Sequence, residues 1–74
     1  MYYIDFFENG IFSTRVGGAI GTLSEALLQM KKLAAGTGFE EMKECIGIQW
    51  LRAGTTPCCL LVCDVWGQPI KDAQ

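Results

Sequence analysis

The chain predicts an α+β fold: a four-stranded antiparallel sheet built from two hairpins, with one main helix packed on one face, in the order β-β-α-(short α)-β-β. Three observations carry this. Two aromatic and branched runs, 2–7 and 11–16, flank Asn9-Gly10, whose residues tolerate the positive φ angles of a type I′ hairpin turn. From Leu23 onward the apolar residues recur at helical spacing. Two later apolar runs, 46–52 and 58–66, read as strands. A single sheet with a helix across one face buries the apolar side of each element. The chain has no βαβ rhythm, internal repeat or low-complexity tract.

In the first hairpin, a two-residue turn sets Glu8 opposite Ile11, Phe7 opposite Phe12, Asp5 opposite Thr14 and Tyr3 opposite Val16. One face then carries Tyr3, Asp5, Phe7, Phe12, Thr14 and Val16; the other carries Tyr2, Ile4, Phe6, Ile11, Ser13 and Arg15. Neither face is cleanly polar, so the aromatic residues on the less buried one need a cover, which points to an interface. Residues 17–21, Gly-Gly-Ala-Ile-Gly, read as a flexible joint into the helix. Thr22 and Glu25 form a capping box. Leu23, Leu27, Met30 and Ala34 make the apolar stripe, widened by Ala26 and Leu33 and edged by Leu28. Lys31 and Lys32 complement the dipole in the last turns, and Gly36 is the expected terminator.

Residues 39–44 are expected to form a short helix. Thr37-Gly38-Phe39-Glu40 resembles a second capping box, and Phe39, Met42 and Ile46 sit at helical spacing. The competing reading extends the following strand backwards, since Met42, Glu44 and Ile46 also alternate. The strand 46–52, a loop over 53–57 and the strand 58–66 follow. The first six residues of the last strand are apolar on both faces, which predicts a central position. Gly67-Gln68-Pro69 should stop it, leaving 68–74 as a loose tail.

Seventy-four residues make a single domain, 1–74, near the lower limit for a self-sufficient core. Half of the residues are hydrophobic, and a second copy is the nearest source of further burial, so a homodimer is expected. Eight acidic and six basic residues give a charge of −2, which argues against binding to a nucleic-acid backbone. The first ten residues lack the basic segment of a secretory signal, and Cys58–Cys63 is far too short to cross a bilayer. A small acidic cytoplasmic protein, away from membranes and with its four cysteines reduced, is the expectation.

No metal site, cofactor or catalytic residue is expected. Cys59 and Cys63 share a strand face but lie about 13 Å apart along an extended chain, and the sequence has no histidine. Residues 17–21 match neither G-x-G-x-x-G nor a Walker A loop. Asp5 and Asp64 are the acids embedded in apolar strands, and Arg15 and Arg52 are their natural partners across the sheet. Candidate binding residues are Trp50, Arg52 and Trp66, as aromatic and arginine anchors, with Tyr2 and Phe6 on the hairpin. Glu40, Glu41 and Glu44 form an acidic spot, either a solvated face or a site for a basic partner. The expected function is a non-enzymatic protein-binding module, an inhibitor or accessory subunit acting as a homodimer. The alternative is a small-molecule or single-stranded nucleic-acid module using the glycine joint 17–21 and a pocket of Tyr3, Phe12 or Trp66 beside the helix start. An enzyme ranks last.

Overall fold

Asn9 and Gly10 both adopt positive φ, 54° and 78°, and so turn the chain from β1 (Tyr2–Glu8) into β2 (Ile11–Ile20). The computed structural model describes residues 1–35, 39–41, 45–50 and 57–71, with 39–41 and 50 described through their backbone. Glu8 pairs with Ile11 and Phe7 with Phe12, as a two-residue turn requires. The next pair is Phe6 with Thr14, so Ser13 is an extra residue on β2. Everything beyond it shifts by one: Asp5 faces Arg15 rather than Thr14, and Ile4 faces Val16. The shift also brings Phe12 and Arg15 to one face of the sheet, where simple alternation separates them.

A second irregularity lies between Ile4 and Tyr2, which pair with Val16 and Ile20. Gly17, Gly18 and Ala19 therefore bulge within β2, and the expected flexible joint is part of the strand. Gly17 has φ 77° and no atom near its missing side chain. Substitution there meets backbone strain and no clash. Gly17→Ala is expected to cost about 1–2 kcal/mol, against a change within about 0.5 kcal/mol for Gly18→Ala, as read by urea denaturation.

Helix α1 (Leu23–Ala34) starts where Thr22, in an extended conformation, accepts a hydrogen bond on Oγ1 from the Glu25 amide at 3.2 Å. Its buried seam is Ala26, Met30 and Ala34, with Leu23 packed beside it. Leu27 and Leu33 flank that seam and are exposed, as is Leu28. The stripe touching the sheet is thus narrower than the apolar stripe in the sequence. Ala26 and Ala34, lacking bulk, let the backbone come close around the single large knob of Met30. Among the described residues, no helix is long and apolar enough to cross a membrane.

Phe39–Glu41 is a strand, β3, not the start of a short helix. It pairs antiparallel with β4 (Gly47–Trp50), Phe39 to Trp50, Glu40 to Gln49 and Glu41 to Ile48. An isolated turn or two of helix is marginal in water, and the ladder of an available strand edge outweighs that local preference. Residues 42–44 and 51–56 lie outside the described residues. β5 (Cys58–Cys63) sits between β1 and β4, and Leu60 through Cys63 are buried, as its doubly apolar pattern predicts. The described strands form one antiparallel sheet of five, ordered β2-β1-β5-β4-β3, with α1 on one face. The α+β class and the helix over an antiparallel sheet agree with the sequence; the additional strand is β3. Ile4, Ile48, Leu60 and Val62 meet Ala26, Met30 and Ala34 in the core.

The chain after β5 is anchored rather than loose over residues 68–71. The Asp64 amide donates to the Gln68 carbonyl at 3.0 Å, the Ile70 amide to Val62 at 2.8 Å and the Ile46 amide to Ile70 at 2.9 Å. Ile70 packs against the core. Residues 72–74 lie outside the described residues.

Candidate functional site: an aromatic cleft over a buried ion pair

The face of the sheet opposite α1 is organised by Asp5, the described residue that is both charged and fully buried, at 0% exposure. The bulge at Ser13 sets Arg15 directly across from it. Arg15 Nε donates to Oδ1 at 2.8 Å and Nη2 to Oδ2 at 3.1 Å, a two-pronged pair. Nη2 also donates to the Asp64 carbonyl at 3.3 Å, and the guanidinium carbon lies 4.0 Å from the Tyr3 ring centroid. The hydrogen bond to Asp5 holds the arginine still more firmly in its charged form. Its side chain remains one-third exposed, so this guanidinium is rigid, neutralised from below and open to water on one side.

The turn after β5 builds the wall. Asp64 Oδ1 accepts from the Trp66 amide at 2.8 Å and the Gln68 amide at 3.0 Å. Gly67, with φ 79°, reverses the chain while its amide donates to the Asp64 carbonyl at 3.1 Å. The turn presents Val65 and Trp66 outward, 54% and 84% exposed. On the other side Phe12, 52% exposed, packs edge-on against Phe7 with centroids 6.0 Å apart. Phe12, Arg15, Val65, Trp66 and Gly67 enclose an open cleft of about 300 Å³.

Cys63 lies under this site, fully buried beside the Asp5 carboxylate. Burial, and then the charge of Asp5, push its thiol from an ordinary value near 9.0 up to about 12. The thiol donates to the Leu61 carbonyl at 3.7 Å. Burial raises Cys59 as well. Cys63 therefore packs as a small apolar side chain with no nucleophilic character at neutral pH. Between about pH 9 and about pH 12 the unfolded chain releases the Cys63 proton while the fold retains it. Stability is full below that window and falls as pH rises through it. Urea midpoints across an alkaline pH series should show the decline, and Cys63→Ala should flatten it.

The sequence candidates scatter. Trp66 stands at the mouth of the cleft. Tyr2 and Phe6 do not: both are half-buried and packed against the core on the α1 side. Ile4 lies between them on that face, and helix burial claims all three. Trp50, in β4, pairs through its backbone with Phe39 of β3, and Glu40 and Glu41 lie on that same edge strand. Arg52 and Glu44 lie outside the described residues. Asp5 and Asp64 do not form an acid pair; Arg15 bridges the carboxylate of one to the carbonyl of the other. From the sequence, Phe12 enters only as a wall of the alternative small-ligand pocket and Arg15 only as an ion-pair partner for Asp5 or Asp64, while Val65 carries no signal of its own. Compared with known proteins, the chain matches no family, no curated protein and no solved structure.

Proposed function

We propose that this protein is a non-enzymatic binding module that docks another polypeptide through the cleft of Phe12, Arg15, Val65 and Trp66, in the manner of an inhibitor or an accessory subunit. The observation that carries this is Trp66, 84% exposed on a turn whose backbone is tied down by Asp64. A large apolar ring carried on a fixed backbone needs no loop ordering to dock, and such rings dominate binding energy at interfaces. Arginine beside it fits the same pattern. The charged groups serve structure: Arg15 and Asp5 satisfy each other, and Asp64 caps the turn. All four cysteines are thiols, which fits a reducing compartment such as the cytoplasm.

A photo-reactive residue placed at Trp66 and, as a control, at Leu28 on the outer side of α1 tests this in the cells that make the protein. A discrete polypeptide adduct at Trp66 with none at Leu28 is the expected result. Equal, diffuse labelling at both positions contradicts it. A second reading rests on the cleft volume of about 300 Å³, at the lower end of small-ligand sites. The cleft is walled by Phe12 and Trp66 and does not involve the glycines of β2.

A further inference from the structure

Trp66 projects from the rim of the cleft that it also helps to wall. Knob and hole therefore lie side by side on one face. A surface of that kind is complementary to itself, because one two-fold axis between them seats both knobs at once. We propose that the occupant of the cleft is Trp66 of a second copy of this chain, giving a symmetric dimer in which the two indoles stack at the axis. This rests on the docking reading above and names its partner.

Three features favour a second copy. Tyr3 and Asp5 already cover part of the Arg15 guanidinium, and the cleft opens on what they leave. An incoming indole there would complete a Tyr3–Arg15–indole sandwich, an attractive arrangement for a cation that keeps a partly exposed side. Arg15 is countered by Asp5, and the Asp64 carboxylate keeps its charge while it accepts from the turn amides, so like charge, with −2 on the whole chain, weakens the meeting without placing an unpaired cation at its centre. Area sets the strength. Trp66 and Phe12 each offer on the order of 100–200 Å², so two copies with their valines approach the ~1,000 Å² minimum for a specific interface. The dimer is therefore weak and reversible, with a dissociation constant on the order of 10–100 μM.

Sedimentation velocity of the purified chain across that concentration range, with far-ultraviolet circular dichroism on the same samples, tests the proposal. The expected result is a monomer–dimer equilibrium in which the exciton couplet of stacked indoles grows in step with the dimer fraction. Trp66→Ala and Val65→Asp should each weaken association at least tenfold, as expected for loss of an anchor at the interface centre. Both positions are exposed, so melting curves at low concentration should stay unchanged. A monomer at every concentration, a dimer without the couplet, or a dimer that Trp66→Ala leaves intact overturns the proposal. Photo-crosslinking keeps the two readings apart. A monomeric chain that yields one discrete adduct with a different polypeptide refutes the dimer and retains the docking face. Diffuse labelling at Trp66 and Leu28 alike refutes the docking face itself.

Discussion

Arg15→Met is expected to lower the melting temperature at neutral pH by on the order of 10–20 °C, because it strands the Asp5 carboxylate in the interior. Asp5 has no exposed surface, and Arg15 satisfies both of its oxygens. Among the described residues, Arg15 is the cation paired with Asp5, so removing it leaves a buried charge without its counter-ion. The pair as a whole contributes far less, because taking two charges out of water costs about what their attraction returns. Asp5→Leu combined with Arg15→Met should accordingly recover most of the lost stability. A double variant as unstable as Arg15→Met alone would show that the pair is a source of stability in its own right. On the present account its role is register: it selects the bulged pairing of β1 and β2 over the regular one.

Met30→Ala is expected to destabilise the fold by about 2–4 kcal/mol, with Leu28→Ala changing it by less than about 0.5 kcal/mol. Both are large apolar residues of one helix, two positions apart. Met30 is fully buried between two alanines of the seam and fills the gap between α1 and the sheet, whereas Leu28 is 55% exposed. Truncating Met30 leaves a cavity that the strands beneath, Ile48 and Val62 among them, are too tightly held to fill. Urea denaturation of the two variants under the same conditions measures the contrast. Similar losses at both positions would mean that the buried seam is misplaced.

What could be read from the sequence depended on whether the deciding interactions were local. Asn9-Gly10 turns the hairpin and Thr22 starts the helix, each through chemistry confined to a few adjacent residues. Cys58–Cys63 lies centrally because a strand apolar on both faces has to be covered twice. The bulge at Ser13 left no such mark, since one inserted residue changes neither composition nor local pattern. It is selected by the contact of Asp5 with Arg15, which depends on the pairing it produces. Phe39–Glu41 carried a helical signal that the edge of β4 overrode. Asp64 falls inside the strand expected over 58–66, whereas it caps the turn that brings Val65 and Trp66 around. Trp66 was legible as a candidate, being a large ring next to a strand terminus. Its neighbours Phe12 and Arg15 reach it only through the bulge and that turn, which is why the site was only partly visible.

Cross-strand nuclear Overhauser contacts in the β1–β2 hairpin decide whether Ser13 is an extra residue, on which the cleft depends. Contacts pairing Asp5 with Arg15 and Ile4 with Val16 are expected, together with proximity of the Phe12 ring to Val65 or Trp66. Contacts pairing Asp5 with Thr14 and Tyr3 with Val16 would contradict it, since that register sends Arg15 to the helix side and leaves no cleft.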